Sequence, residues 1–290
     1  MDLPEMLPLG GVSPPTPTGD ADADHDPCYY PTGDGEPMAE TPLHGDAMLS
    51  IFFQLGALAV LRGRQSDWYR LRDNFWYFER GDPSKCCAPD VAHIEGATNP
   101  ADPRDCWKEW LEGGLRPSVV FEMASRSTVT DNLTAKRDLY ESLGVEEYFL
   151  FDPTGVFLDP RLRGFRLSRG KYRELAPDSQ GRLDSRELGV RLRAEGRECR
   201  LYDRATGDRI LTESEGNAAR AAREAARADQ EAAAAREANE RAAREAGARA
   251  DEAARADEQA AKAAKAAAQN EVLREALRAA GIDPDALLGI

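Results

Sequence analysis

Three charged residues stand where their surroundings call for apolar ones, and together they could do chemistry. Glu122 lies within 118–124, SVVFEMA, a run apolar on both faces as in a buried central strand. Asp90 falls in 87–94, CAPDVAHI, and shares a face with Ala92 and Ile94, so it points toward packed structure. Lys136 belongs to the helical stripe Val129, Leu133, Lys136, Tyr140 and Leu143, which turns its ammonium toward the sheet. Burying such charges is costly unless they are paired or bound to a cation. Two carboxylates on neighbouring strands can chelate one hard cation, and oxygen-only ligands suit Mg²⁺ or Mn²⁺ better than zinc. A divalent ion so held polarises a phosphoryl oxygen and acidifies a bound water. A lysine can orient that water or offset developing charge, so the set fits phosphodiester hydrolysis. The competing explanation is structural: Lys136 forms an internal ion pair with Glu122 or Asp90, or extends along the stripe to solvent.

These residues need a scaffold, and the pattern between them supplies one. Residues 43–61 carry an apolar helical stripe, Met48, Ile51, Leu55 and Leu58. Short apolar runs at 74–79, 87–94 and 118–124 are predicted strands. A second helix is expected over 128–143, capped by Thr128 with Asp131 three residues on and closed by Gly144. Another strand follows at 147–151, and the residues beyond Asp152 extend the sheet. The order α-β-β-β-α-β implies an α/β fold with a mixed sheet covered by helices.

The ends differ from this middle. Residues 1–40 are rich in Pro, Gly and Asp and offer too little apolar surface to offset ordering, so an acidic disordered segment is expected there. A globular domain is expected over 41–212, an alanine-rich helix or coiled coil over 213–280, and a tail over 281–290. The net charge of −14 sits at the ends: residues 1–61 hold ten acids and no Lys or Arg, and 213–290 hold sixteen acids against twelve bases. The stretch 62–212 is therefore neutral, and a polyanion partner is compatible with it. Five cysteines without a CxxC pair indicate neither a disulfide framework nor a zinc ribbon. The longest apolar run, 47–61, is shorter than the roughly 20 residues of a spanning helix, and a cytoplasmic protein without a membrane partner is expected.

The segments APDVAHI and PSVVFEMASRSTVTDNLTAKRDLYESLGVEEYFLFDP resemble the bacterial Uma-type restriction-endonuclease-like family of the PD-(D/E)XK nuclease superfamily. The match runs through Pro89-Asp90, Glu122, Ser125, Ser127-Thr128, Asp131, Lys136, Tyr140, Gly144-Val145, Tyr148 and Asp152-Pro153. The resemblance implies a restriction-endonuclease-like αβββαβ core and a Mg²⁺-dependent nuclease in which Asp90 and Glu122 bind metal. One departure stands out. The superfamily's lysine usually follows the acid by two positions on the same strand, and here that position is Ala124, so Lys136 would supply the amine from the next helix.

His44, on the stripe with Met48 and Ile51, is a further candidate to face the site, and Glu36 or Glu40 could add a ligand. Arg161, Arg163, Arg166, Arg169, Lys171 and Arg173 form a basic stretch with no acid among them, able to contact phosphates. Trp68, Trp76, Trp107 and Trp110 read as core or lid, and CWKEWLEGG as an insertion bordering the cleft. The expected activity is a metal-dependent DNA endonuclease, dimeric through its C-terminal helix or its domain. The alternative is a nuclease fold kept for nucleic-acid binding or for assembly through that helix.

Overall fold

Thr41 begins the first helix by accepting a hydrogen bond from the His44 amide, with Pro42 next in line, where a missing N–H is harmless. Helix α1, Pro42–Arg62, ends at Gly63, whose φ of 66° gives the left-handed turn that lets the amides of Gly63 and Arg64 reach the last carbonyls. The computed structural model describes residues 30–32 and 41–284; the rest of the acidic segment expected over 1–40, with Glu36 and Glu40, lies outside the described residues.

Ala47, Met48, Ile51, Leu55 and Leu58 bury one face of α1. By length and composition α1 could cross a bilayer, but this face packs into a core against Val119, Phe121, Met123, Phe149 and Phe151. Gln54 is buried there too, and both ends of its amide are used: Nε2 donates to Cys199 O and Oε1 accepts from the Leu201 amide.

The central sheet comprises β1 (Trp68–Arg72), β4 (Val91–Glu95), β6 (Val119–Met123), β7 (Glu147–Phe151), β8 (Leu162–Ser168) and β9 (Lys171–Glu174), in that spatial order. Only β6 and β7 are parallel among these neighbours, so the sheet is mixed, as the sequence implies. Two helices, α2 (Val129–Leu133) and α3 (Ala135–Ser142), form the crossover that a parallel pair requires. Leu139, Tyr140 and Leu143 pack on the second face of the sheet with Val120, Ala92, Ile94, Tyr148 and Leu150. The core order α1, β1, β4, β6, α3, β7 is the expected αβββαβ. Its first strand is β1, which the reading of the sequence passes over, because Arg70 and Arg72 interrupt the apolar pattern of WYRLR.

Four local expectations are corrected. The strand expected at 74–79 shrinks to β2 (Trp76–Tyr77), which pairs with β3 (Cys86–Cys87) and β5 (Trp107–Lys108) in a separate small sheet. The run 87–94 is divided between β3 and β4 around Pro89, which lacks the N–H a ladder needs. The single helix expected over 128–143 breaks at Thr134, where φ −126° and ψ −88° are not helical. Thr128 does not cap α2 either; its hydroxyl is used by the preceding loop.

A third sheet, β10 (Leu183–Ser185), β11 (Val190–Glu195) and β12 (Glu198–Asp203), adds Val190, Leu192 and Leu201 to the core under α1. Helix α4, Glu213–Ala279, begins with a reciprocal cap: Glu215 accepts from the Thr212 amide and Thr212 Oγ1 from the Glu215 amide. Contacts divide the chain into a unit ending at Asn217 and a second unit from Ala218. None of the 67 residues of α4 is buried, and pairs such as Arg227–Glu231 and Arg241–Glu245 line it at i,i+4 spacing.

Candidate active site

The register of the central sheet sets the two acids side by side. Val91 pairs with Phe121, so one step further along the same antiparallel ladder Asp90 stands across from Glu122. Asp90 Oδ2 accepts the Met123 amide at 2.5 Å, which ties the start of β4 to β6 directly beside Glu122. Alternation along β6 sends Val119, Phe121 and Met123 into the α1 core, and Val120, Glu122 and Ala124 toward α3.

Glu122 is 1% exposed. Lys136 Nζ donates to its Oε2 at 2.8 Å and the Tyr140 hydroxyl to its Oε1 at 2.7 Å. The two donors are four residues apart on α3, so one face of that helix presents both to one carboxylate. Burial pushes the Glu122 carboxyl up to about 7; Lys136 opposes that rise and the Asp90 charge adds to it. Burial alone would lower the Lys136 ammonium, but Glu122 and Asp90 outweigh it and leave it above the usual lysine range. The Lys136 side chain remains 29% exposed, so solvent or a ligand can reach it.

His44 Nε2 lies 3.4 Å from Asp90 Oδ2, carried there by the first turn of α1. The structure therefore brings Asp90, Glu122, Lys136 and His44 to one place. It does the same for Tyr140, which shares the helical stripe with Lys136 and to which the sequence alone assigns no role. The signal was the i+4 spacing from Lys136.

Behind Tyr140 stands a second tier. Trp76 stacks on its ring with centroids 6.4 Å apart and planes within 3°. Trp76 Nε1 in turn donates to Glu109 Oε1, and Arg116 pairs with Glu109 Oε2. Trp68, Trp76 and Trp107 are core, and the CWKEWLEGG insertion supplies β5 and the turn that holds Glu109.

The loop after β6 is fixed by hydroxyls. Ser125 Oγ and Thr128 Oγ1 are 2.9 Å apart, and Thr128 Oγ1 and Asn132 Nδ2 both donate to Met123 O. Asp152 acts on its own turn, accepting from the amides of Thr154, Phe157 and Leu158. Glu147 provides the contrast with Glu122. It is equally buried on the next strand, but it accepts from Arg166, Ser185 and the Arg186 amide, a wholly structural set of partners.

Much of the basic stretch is also used internally. Arg161 donates to the carbonyls of Asp152 and Pro153, while Arg163, Arg166 and Lys171 pair with Glu174, Glu147 and Glu141. Arg169 and Arg173 are the exposed remainder, without an ion pair among the described residues.

No group of three or more His, Cys, Asp or Glu able to hold a metal occurs among the described residues. Two carboxylates with neighbouring water or phosphate oxygens nevertheless suit Mg²⁺, which keeps several non-protein ligands. Asp90 Oδ1 has no hydrogen-bond partner among the described residues, and each Glu122 oxygen accepts one bond, so both acids retain ligand capacity.

The sequence profile of a family described as "Uma2: Putative restriction endonuclease" matches residues 22–195, more than half of the chain. The chain belongs to the Uma2 family. A crystal structure described as a putative nuclease belonging to DUF820, from Anabaena variabilis, shares 12% identity with this Uma2 chain. The similarity covers 53% of this chain and 76% of that one, with a TM-score of 0.37. No curated protein matches. The matched span of the Uma2 chain contains β4, β6, α3 and β7, and so every residue of the cluster just described.

Proposed function

We propose that this Uma2 chain is a metal-dependent endonuclease that hydrolyses DNA phosphodiester bonds. The observation that carries the proposal is Glu122: a carboxylate 1% exposed in a central strand, facing Asp90 and gripped by Lys136 and Tyr140. Asp90 and Glu122 would hold Mg²⁺ or Mn²⁺. When bound, such an ion supplies Lewis acidity toward the phosphate and lowers the pKa of a coordinated water.

The chain's own groups do the rest. Tyr140 and Lys136 fix the Glu122 carboxylate. The exposed part of the Lys136 side chain lets its ammonium orient an attacking water or offset charge on the phosphate. His44, in the first turn of α1, brings its Nε2 within 3.4 Å of Asp90 Oδ2. Arg169 and Arg173 offer charge to the DNA backbone. We place the protein in the cytoplasm, with no membrane partner, as a homodimer joined through α4 acting as a coiled coil.

Plasmid nicking with added Mg²⁺ or Mn²⁺ tests the activity. The parent should relax supercoiled DNA only when metal is present, and Glu122→Ala should abolish this while the fold persists. Equal cutting by the mutant overturns the assignment. A competing role, a fold retained for binding alone, draws on Ala124 occupying the superfamily's lysine position, and it predicts retention of DNA binding with no cutting under any metal.

A further inference from the structure

Glu109 is a buried carboxylate outside the acidic cluster, yet its partners converge on the helix that serves Glu122. Its Oε1 accepts from Trp76 Nε1 at 2.9 Å, and the Trp76 ring lies parallel to that of Tyr140 at the separation of an offset stack. Its Oε2 accepts from Arg116 Nη2 at 3.0 Å, and Arg116 Nη1 donates to Leu143 O at 2.9 Å. Leu143 closes α3. One carboxylate thus holds two side chains that grip the same helix, one along its length and one at its C-terminal end.

Helix α3 needs such a grip. It is eight residues long, and at Thr134 the backbone leaves the helical region, so continuity with α2 does not hold it in place. Leu139, Tyr140 and Leu143 bury its inner face, but apolar burial is non-directional and sets the position along the axis only weakly. A slide of one residue is about 1.5 Å. The bonds of 2.7 and 2.8 Å that Tyr140 and Lys136 make to Glu122 do not survive such a slide. Directional bonds from a fixed point outside the helix prevent it. Glu109 has such a footing, because it directly follows β5, which pairs in parallel with β2, the strand of Trp76. Burial raises the Glu109 pKa while Arg116 and Trp76 oppose the rise, so the buried charge is tolerated because both partners are in place.

We propose that Glu109 is a positioning residue for the Glu122 site: through Trp76 and Arg116 it fixes α3 along its axis, and so sets Tyr140 and Lys136 against the carboxylate that would hold the metal. The metal half of this inference rests on the proposed role of Glu122; the half that concerns α3 does not.

Two measurements on the full-length variants Glu109→Gln and Arg116→Met separate the halves. In metal-free crystals, Tyr140 Oη and Lys136 Nζ should withdraw from Glu122 beyond hydrogen-bond range while the central sheet superposes on that of the parent. In solution without DNA, Mn²⁺ binding followed by calorimetry should weaken about tenfold, the lower end of the loss when a group that orients a metal ligand is removed. Saturating Mn²⁺ should restore nicking toward the parent's rate, because the ligand is misplaced rather than missing. Glu147→Gln is the control: Glu147 is equally buried but bonded to Arg166, Ser185 and Arg186, none of them on α3, so its loss should lower the melting temperature and leave Mn²⁺ affinity unchanged. The proposal is overturned if Tyr140 and Lys136 stay bonded to Glu122 in the folded variants, if Mn²⁺ binds those variants as tightly as the parent, or if Glu147→Gln weakens Mn²⁺ binding as much. A parent that binds no Mn²⁺ sinks the reading of Glu122 as a ligand, and the distances in the variant crystals then decide whether Glu109 holds α3.

Discussion

Lys136 Nζ stands 2.8 Å from Glu122 Oε2, so a helix and a central strand meet through a charge pair at the point where Asp90 also arrives. In a purely structural pair, removing the amine would harm stability and leave nothing else to lose. In a catalytic pair, Lys136→Met should lower metal-dependent nicking by about 100-fold or more, the scale of losing one group that stabilises transition-state charge. Because Lys136 is 29% exposed, its removal should cost less than the roughly 3–5 kcal/mol of breaking a fully buried pair. Plasmid relaxation and urea unfolding on the same sample separate the roles: a stability loss with full cutting would assign Lys136 to structure alone.

Tyr140→Phe probes the other oxygen. The substitution keeps the ring that stacks on Trp76 but removes the hydroxyl that donates to Glu122 at 2.7 Å. A buried acceptor that loses its donor costs about 1–3 kcal/mol, so the melting temperature should fall. Without that anchor the carboxylate is less fixed, and nicking should drop more at low metal concentration than at saturation. A uniform loss at every metal concentration would speak against Tyr140 positioning a ligand.

Asp90, Glu122 and Lys136 were legible because each breaks a local periodicity that its neighbours keep, and a charge out of pattern can be read from one sequence. The same rule is blind to partners. Glu147 breaks a pattern too, in VEEYFLF, yet its satisfied bonds to Arg166, Ser185 and Arg186 come from residues 19 to 39 positions away. Neither could sequence show that the Thr128 hydroxyl turns back to Ser125, which leaves α2 without its expected cap, or that the helix breaks at Thr134. Strand β1 escaped because an edge strand tolerates alternate arginines, and Arg70 finds its place only once the Phe52 ring and Gly56 lie beneath it. The basic stretch looked free in the sequence, whereas its acids lie elsewhere: Glu141, Glu147 and Glu174.

His93 gives the fold an acid-sensitive point. It is 1% exposed against Trp68, and burial pushes its pKa down to about 4. The folded chain keeps the ring neutral, whereas the unfolded chain protonates it below its ordinary 6.5, so this contribution is complete above pH 6.5 and is lost as pH falls toward 4. The full difference corresponds to about 3 kcal/mol, of which about 2 kcal/mol is gone at pH 5. Urea unfolding at pH 7.5 and pH 5 should therefore show a smaller pH difference in His93→Phe than in the parent. An unchanged difference would mean that His93 is not the group responsible.

Helix α4 presents the opposite problem, a long element with no buried residue. It buries none of its 67 residues, and Val272 and Leu273 are 67% and 59% exposed. Alanine has the highest intrinsic helix propensity, and i,i+4 pairs such as Glu258–Lys262 each add about 0.2–0.5 kcal/mol, so a single solvated helix could persist by itself. Pairing two copies would bury the Val272, Leu273 and Leu277 cluster and convert a weak alanine seam into an assembly device. Sedimentation of the full chain against a form ending at Asn217 decides between them. A paired helix predicts a dimer that becomes a monomer on truncation, and Leu273→Glu with Leu277→Glu should shift the full chain the same way. If the full chain already sediments as a monomer, α4 is a solvated arm and the proposed homodimer fails.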